Sequence, residues 1–324
     1  MTNTLFPICA AFTSCLLASL PAQRVDLDFD WKKRKVTVSY GVARFGKHTL
    51  AELPTGSDWR MGMNLASTIA TDLPLVGEAG IVAPGSYRVS LYRKTEKQLG
   101  LLVASSELAT GGKAAYFPGA LEDLPKPQEK LQLAFTDRVP ANTPAGQPAA
   151  TGKETKGVPT DPVDGKLAKR TALRLSFGPY RIDMPMVAIG STKATVRGFT
   201  AEAFTWPGTL FDGQLAKGLS VPVLTLRAKG GSKTRPKVYN LLVDAKQARF
   251  LPAMTAPTDS FGFAGVKGFD AKQILAGSVQ WRDAPQPVAA LKVSEIKIVK
   301  GQLLLAVAVG KRIGAVTVPI PPAK

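Results

Sequence analysis

The chain has 324 residues, an apolar fraction of 45% and a formal net charge of +18. It is too long for one ordinary domain and too apolar for a disordered polymer, so two packed units are expected. A single histidine in the whole sequence excludes a multi-histidine metal centre.

The chain opens with an apolar run from Leu5 to Leu20, followed by the small residues of SLPAQ. This pattern predicts a signal peptide over residues 1–22, cleaved after Ala22, and therefore an exported protein, periplasmic, secreted or at the cell surface. The run is shorter than the roughly 20 residues that a spanning helix needs. Both cysteines, Cys9 and Cys15, lie inside it. The processed chain would then hold no disulfide, no thiolate nucleophile and no cysteine-ligated zinc, and no cofactor is expected.

Strand signals dominate the rest of the chain. VDLDFDW (25–31) alternates, with Asp26, Asp28 and Asp30 on one face and apolar residues on the other. Carboxylates spaced this way along a strand lie too far apart to grip one ion, so a solvated face is expected. KVTVSY (35–40), SYRVSLYR (86–93), LGLLVAS (99–105) and KLQLAF (130–135) read as further strands. ALRLSF (172–177) and YRIDMPM (180–186) suggest a hairpin about Gly178-Pro179. Later runs are 194–206, 221–228, 237–245, 295–309 with a turn at Lys300-Gly301, and 314–320. The best helical signal is DAKQILAG (270–277), from an Asp270 cap to a Gly277 stop. Many short strands between Gly/Pro turns predict an all-β protein: an antiparallel β-sandwich over 24–187, then a basic, β-rich domain over 188–324. Residues 138–168 carry five prolines and no aromatic residue. They read as an extended, mobile insert within the first domain.

The order of VTVSYG, LPTGSDWRMGMNLAST, APGSYRVSLY and LRLSFGPYRIDMPM resembles a bacterial family of exported proteins, the domain of unknown function 2911 family. The likeness rests on Ser39, Tyr40, Gly41, Pro54, Gly56, Trp59, Arg60, Gly62, Asn64, Thr68, Pro84, Gly85 and Tyr87, and spans residues 24–187. It implies export and a β-fold for that half, not a chemistry. The Pro-rich insert and the region after 188 depart from the pattern.

Trp59, Arg60, Gly62 and Asn64 form the most distinctive cluster. A tryptophan body, a guanidinium fork and a loop-pinning amide suit a rigid corner. They also suit an aromatic and cationic pocket for a sugar or small acid, completed by Tyr40, His48 and Tyr87. The corner is the favoured expectation. GVARFGKHT (41–49) approaches a phosphate-binding loop, but His48 stands where a magnesium-binding hydroxyl is required and no long helix follows. No nucleotide is therefore expected. Ser294 and Lys297 match Ser-x-x-Lys, yet on a strand they point to opposite faces.

Charge is uneven. Residues 188–324 carry 19 Lys/Arg against 7 Asp/Glu, a net of +12. Arg227, Lys229, Lys233, Arg235 and Lys237 concentrate it in one Gly-rich stretch. Such a surface attracts polyanions. For an exported protein this points to acidic glycan, peptidoglycan or an anionic membrane surface, with no nucleic acid expected. Lysines that merely solvate the surface are the plainer alternative. The functional expectation is a non-catalytic binding or scaffolding module. The alternative is a glycan- or ester-hydrolysing enzyme whose carboxylates the sequence does not single out.

Overall fold

The computed structural model describes residues 24–46, 49–62, 66–103, 114–137, 165–228, 238–253 and 274–321. The expected signal peptide and residues 138–164 of the expected insert lie outside them.

Strands β1 (Arg24–Trp31) and β2 (Arg34–Gly41) form a hairpin. Its turn residues Lys32 and Lys33 have φ of 51° and 63°, the left-handed pair that matches the twist of flanking strands. The three aspartates of β1 are exposed and Phe29 is buried, as the alternation requires. A single 3-10 turn (Leu50–Glu52) and β3 (Asp58–Trp59) follow. Next come β4 (Ser67–Thr71), β5 (Leu75–Val76), β6 (Ile81–Val82), β7 (Gly85–Thr95), β8 (Gln98–Val103), β9 (Ala115–Thr136) and β10 (Ala168–Ile189). These ten strands are joined antiparallel in the order β1-β2-β4-β7-β8-β9-β10-β5-β6, with β3 on β7.

Strand β9 turns this sheet into a sandwich. Its residues 115–119 pair with β8, and residues 120–136 pair with β10. Apolar faces of both layers meet between them, with Val38, Ile69, Tyr87, Leu91, Leu101, Leu173, Leu175 and Met184 buried there. The second sheet holds β11 (Ser191–Val196), β12 (Phe199–Phe204), β13 (Val221–Ala228), β14 (Val238–Val243), β15 (Gln247–Pro252), β16 (Leu275–Val299) and β17 (Gln302–Pro319), paired in sequence order. It curls into a half-barrel around its own core, which includes Phe204, Trp206, Phe211, Leu226 and Phe250. The protein is all-β with little helix.

The structure corrects three expectations. Gly178-Pro179 is no hairpin turn: β10 runs on through it as one strand, with an irregularity at Gly178 against β9. The described end of the expected helix at 270–277, Leu275 to Gly277, is strand β16 paired with β15, because ladder pairing overrides a short helical pattern. The expected insert is shorter at its end, since Ala168 is buried and begins β10.

One helix, α1 (Gly208–Ala216), carries no clear signal in the sequence. Gly208 and Gly213 weaken its propensity and no side chain caps its start. Burial of Phe211 and Leu215 against β16 and β17 holds it instead.

The two sheets follow one plan. β1-β2-β4-β7-β8-β9-β10 and β11 to β17 are each seven antiparallel neighbours that open on a hairpin and close on two long strands. The closing pairs agree residue by residue. Asp123 faces Tyr180 and Gln128 faces Gly178 in the first; Asp283 faces Arg312 and Val288 faces Gly310 in the second. Gln128 follows Pro125-Lys126-Pro127 and Val288 follows Pro285-Gln286-Pro287. Gly178 and Gly310 both lie in the left-handed region, at φ 57° and 55°. The Leu131 N–H donates to the Ala43 carbonyl at 2.8 Å, and the Leu291 N–H donates to the Trp206 carbonyl at 2.8 Å. Each unit thus bends its second-last strand back onto the chain leaving its opening hairpin. The connectors differ: residues 42–66 carry the 3-10 turn and β3, whereas residues 205–220 carry α1.

Candidate functional site

Two clefts collect the polar and aromatic groups of interest. The first, about 440 Å³, opens at the end of the sandwich. It is lined by Ala43, Arg44, Gly46, Thr49, Leu50, Glu52, Leu53, Pro54, Trp59, Gly62 and Phe177. Trp59 stacks on Phe177 with ring centroids 5.4 Å apart and planes 26° apart. Phe45 meets the same Phe177 edge-on at 5.5 Å. Aromatic pairs of this kind fix a platform of set orientation.

The backbone behind the platform is tightly shaped. Met61, fully buried, has φ 49° and Gly62 has φ 94°. A Cβ on Gly62 would sit 2.2 Å from the Gly41 carbonyl oxygen, so only glycine fits there. The Ser67 hydroxyl donates to the Met61 carbonyl at 2.5 Å. On the opposite rim, the Arg93 guanidinium donates to the Leu50 carbonyl at 2.7 Å, and the Glu52 carboxylate accepts the Thr49 N–H at 3.3 Å. These bonds hold the 3-10 turn at the mouth.

The structure divides the residues that the sequence grouped here. Trp59 lines the cleft. Arg60 is half-buried next to it and is not a lining side chain. Tyr40 and Tyr87 are buried in the sandwich core: the Tyr40 oxygen accepts the Leu133 N–H at 3.3 Å, and the Tyr87 hydroxyl donates to the Ala83 carbonyl at 2.7 Å. Both hydroxyls serve the backbone and neither faces the cleft. His48 and Asn64 lie outside the described residues. Phe177 escaped sequence reasoning because an aromatic residue in a strand pattern carries no sign of which end of the sandwich it reaches. Gly41–Phe45 leads into a three-residue 3-10 turn rather than a long helix, which removes the structural context of a phosphate loop.

The second cleft, about 340 Å³, lies between the two sheets. Arg34, Lys35 and Arg227 supply positive charge to it, and Thr37, Thr71, Ser86, Thr200 and Thr225 supply hydroxyls. Its two carboxylates are engaged. Glu202 forms an ion pair with Arg34 across the sheets, and Asp72 accepts the Lys35 N–H at 3.4 Å. The Lys35 ammonium donates to Asp28 at 2.8 Å. That bond, with one from the Thr37 hydroxyl at 2.7 Å, holds the Asp28 carboxyl below its ordinary value. Asp28 in turn raises the Lys35 ammonium above its own. At the cleft floor the buried Asn240 amide donates to the Pro84 carbonyl at 2.8 Å and accepts from the Thr225 hydroxyl at 2.8 Å. Arg227 is exposed on β13. Lys229, Lys233, Arg235 and Lys237 lie outside the described residues. Among the described residues, no group of three His, Cys, Asp or Glu is placed to hold a metal ion.

Fold and clefts together define an all-β protein of two like-planned units, with one apolar cleft in the first and one polar cleft between them. Comparison with models of protein families, with curated proteins and with solved structures finds no match.

Proposed function

We propose that the protein is an exported, non-catalytic binding or scaffolding module that holds an anionic cell-surface polymer, an acidic glycan above all. The observation that supports this reading is the cleft between the sheets, where Arg34, Lys35 and Arg227 stand among five hydroxyl side chains. Arg34, Lys35, Thr37, Thr71 and Thr225 are engaged within the protein, so Ser86 and Thr200 are the hydroxyls offered to a sugar, and the exposed Arg227 guanidinium is the fork offered to a carboxylate or sulfate. The net charge of +12 over residues 188–324 adds a long-range field that draws polyanions in.

The test is titration calorimetry of the chain without residues 1–22, against polygalacturonate and neutral dextran at two salt concentrations. Polygalacturonate should bind, weaken with salt, and lose affinity several-fold in Arg227→Glu, as loss of a charged contact predicts. Equal binding of dextran, or an unchanged affinity in Arg227→Glu, would overturn the reading.

A further inference from the structure

Ile298 and Val299 are the exposed large apolar side chains among the described residues, at 38% and 46%. They stand side by side at the end of β16, directly before the Lys300-Gly301 turn. Elsewhere the hairpin buries its aliphatic side chains in alternation, as at Leu303, Leu305, Val307 and Val309 of β17. Ile298 is paired with Leu303 and Val299 with Gln302. Paired residues share a face of the ladder and successive residues alternate between faces. Ile298 therefore lies on the side of the buried Leu303, and Val299 on the opposite side. The end of the hairpin is apolar on both faces.

This tip has a fixed shape. Lys300 and Gly301 have φ of 48° and 76°, the left-handed pair of a two-residue turn. The Gly301 carbonyl accepts the Ile320 N–H at 3.0 Å, which ties the turn to the chain leaving β17. Ile320 in turn packs against the core of the second unit.

Positive charge surrounds the apolar pair. Lys292, Lys297 and Lys300 are exposed. Lys292 is paired with Ala308 and Lys297 with Leu304, so both share the face of Val299 and Gln302. None of the three lysines forms a salt bridge among the described residues. From residue 284 to residue 324, Glu295 is the one acidic residue against six Lys/Arg.

We propose that the tip of the β16–β17 hairpin docks on an anionic lipid surface. Ile298 and Val299 enter the boundary between headgroups and acyl chains, and Lys292, Lys297 and Lys300 meet lipid phosphates. A flat protein partner covers one face of a hairpin, whereas a fluid interface surrounds both. Lysine stems lie along apolar surface while their ammonium heads stay at headgroup level. Two aliphatic side chains are a weak anchor alone, and so is a short cationic cluster; firm attachment takes both signals together, as this tip supplies them. An acidic glycan would satisfy the lysines but leave Ile298 and Val299 in water. The tip shares no residue with the cleft between the sheets, so failure at one leaves the other standing.

Vesicle co-sedimentation tests the docking on the chain without residues 1–22, because the apolar run from Leu5 to Leu20 would bind lipid by itself and every described element begins at Arg24 or later. Vesicles of phosphatidylcholine with about one-third phosphatidylglycerol should bind this chain. Vesicles of phosphatidylcholine alone should bind at least about tenfold more weakly, and added salt should weaken the first. Ile298→Ser with Val299→Ser, and separately Lys297→Glu with Lys300→Glu, should each lower affinity for the anionic vesicles at least about tenfold. Circular dichroism melts establish that each pair stays folded. The serine pair leaves the charge alone, so its affinity for polygalacturonate should not change. The shortened chain holds no cysteine, so Val299→Cys accepts a single environment-sensitive fluorophore. Its emission should shift to the blue on anionic vesicles, while the same label at Glu96→Cys, exposed in the turn between β7 and β8, should not respond. No binding to anionic vesicles, equal binding to both vesicle types, undiminished binding of either folded pair, or a like response of both labels would overturn the proposal. So would a lipid-free dimer in light scattering that the serine pair disperses, which would assign the tip to a second copy of this chain.

Discussion

Gly178 and Gly310 hold the same place in the two units: each is a left-handed glycine in the closing strand, opposite the residue that follows a Pro-x-Pro. Proline removes ladder donors, so the paired strand must break step there, and a residue free to adopt positive φ absorbs the change. A Cβ would lie 2.2 Å from the Phe45 ring at Gly178 and 2.0 Å from the Asp212 carboxylate at Gly310. Gly178→Ala and Gly310→Ala should each lower stability by about 2 kcal/mol, combining left-handed strain with displacement of the neighbour. Urea unfolding of each variant measures this. A change below experimental error would show that the bulge relaxes freely.

At matching places in the closing strands Leu121 faces Ile182 in the first unit, an even division of volume, whereas Trp281 faces Gly314 in the second, with all of the volume on one side. A Cβ on Gly314 would approach the Trp281 ring to 2.7 Å. Gly314→Ile should therefore cost about 3 kcal/mol through overpacking. Adding Trp281→Leu recreates the first unit's pair and should recover most of the loss. A double-mutant cycle should return a coupling of about 1–3 kcal/mol. Additive effects would mean that the two positions do not share one space.

Asn240 ties the units together from a fully buried position. Asn240→Ala would take from the Thr225 hydroxyl its acceptor and leave the Pro84 carbonyl with only the long 3.5 Å bond from the Tyr87 hydroxyl, at about 1–3 kcal/mol in all. The thermal unfolding profile checks it. A drop in midpoint is expected, and broadening or splitting would mark loss of coupling between the sheets.

The Lys35–Asp28–Thr37 group gives a pH prediction. Asp28 is held below the ordinary carboxylate value, so its contribution is present above that value and lost as pH falls through the lower folded-state value. Lys35 is held above the ordinary ammonium value, so its contribution is present below that value and lost as pH rises through the higher one. Lys35→Ala should raise the Asp28 pKa in a carbon-detected NMR titration. An unmoved value would mean that solvent screens the pair fully.

Much of the fold was legible in the sequence because its signals are local. Alternation marked β1 and its solvated aspartates, and Lys300-Gly301 marked the turn between β16 and β17, where φ of 48° and 76° is observed. Of the cluster that stood out in the sequence, Trp59 and Gly62 line a cleft of the first unit. By contrast, Tyr40 and Tyr87 read as pocket residues because a sequence does not show where a phenol points, and both turn to backbone partners.

By itself the sequence determined an all-β chain, its strand faces, its uneven charge and its lack of a multi-histidine site, since composition and period are properties of short windows. Only the tertiary structure decided the rest. Asp123, Pro125, Pro127 and Leu131 share identity with Asp283, Pro285, Pro287 and Leu291, but the common plan of the units lies in hydrogen-bond register between distant strands. Those registers also decide which aromatic rings meet: Trp59, Phe177 and Phe45 in the first unit, and Trp206, Phe211 and Trp281 in the second. That outcome is set by packing between residues far apart in the chain, and no local pattern encodes it.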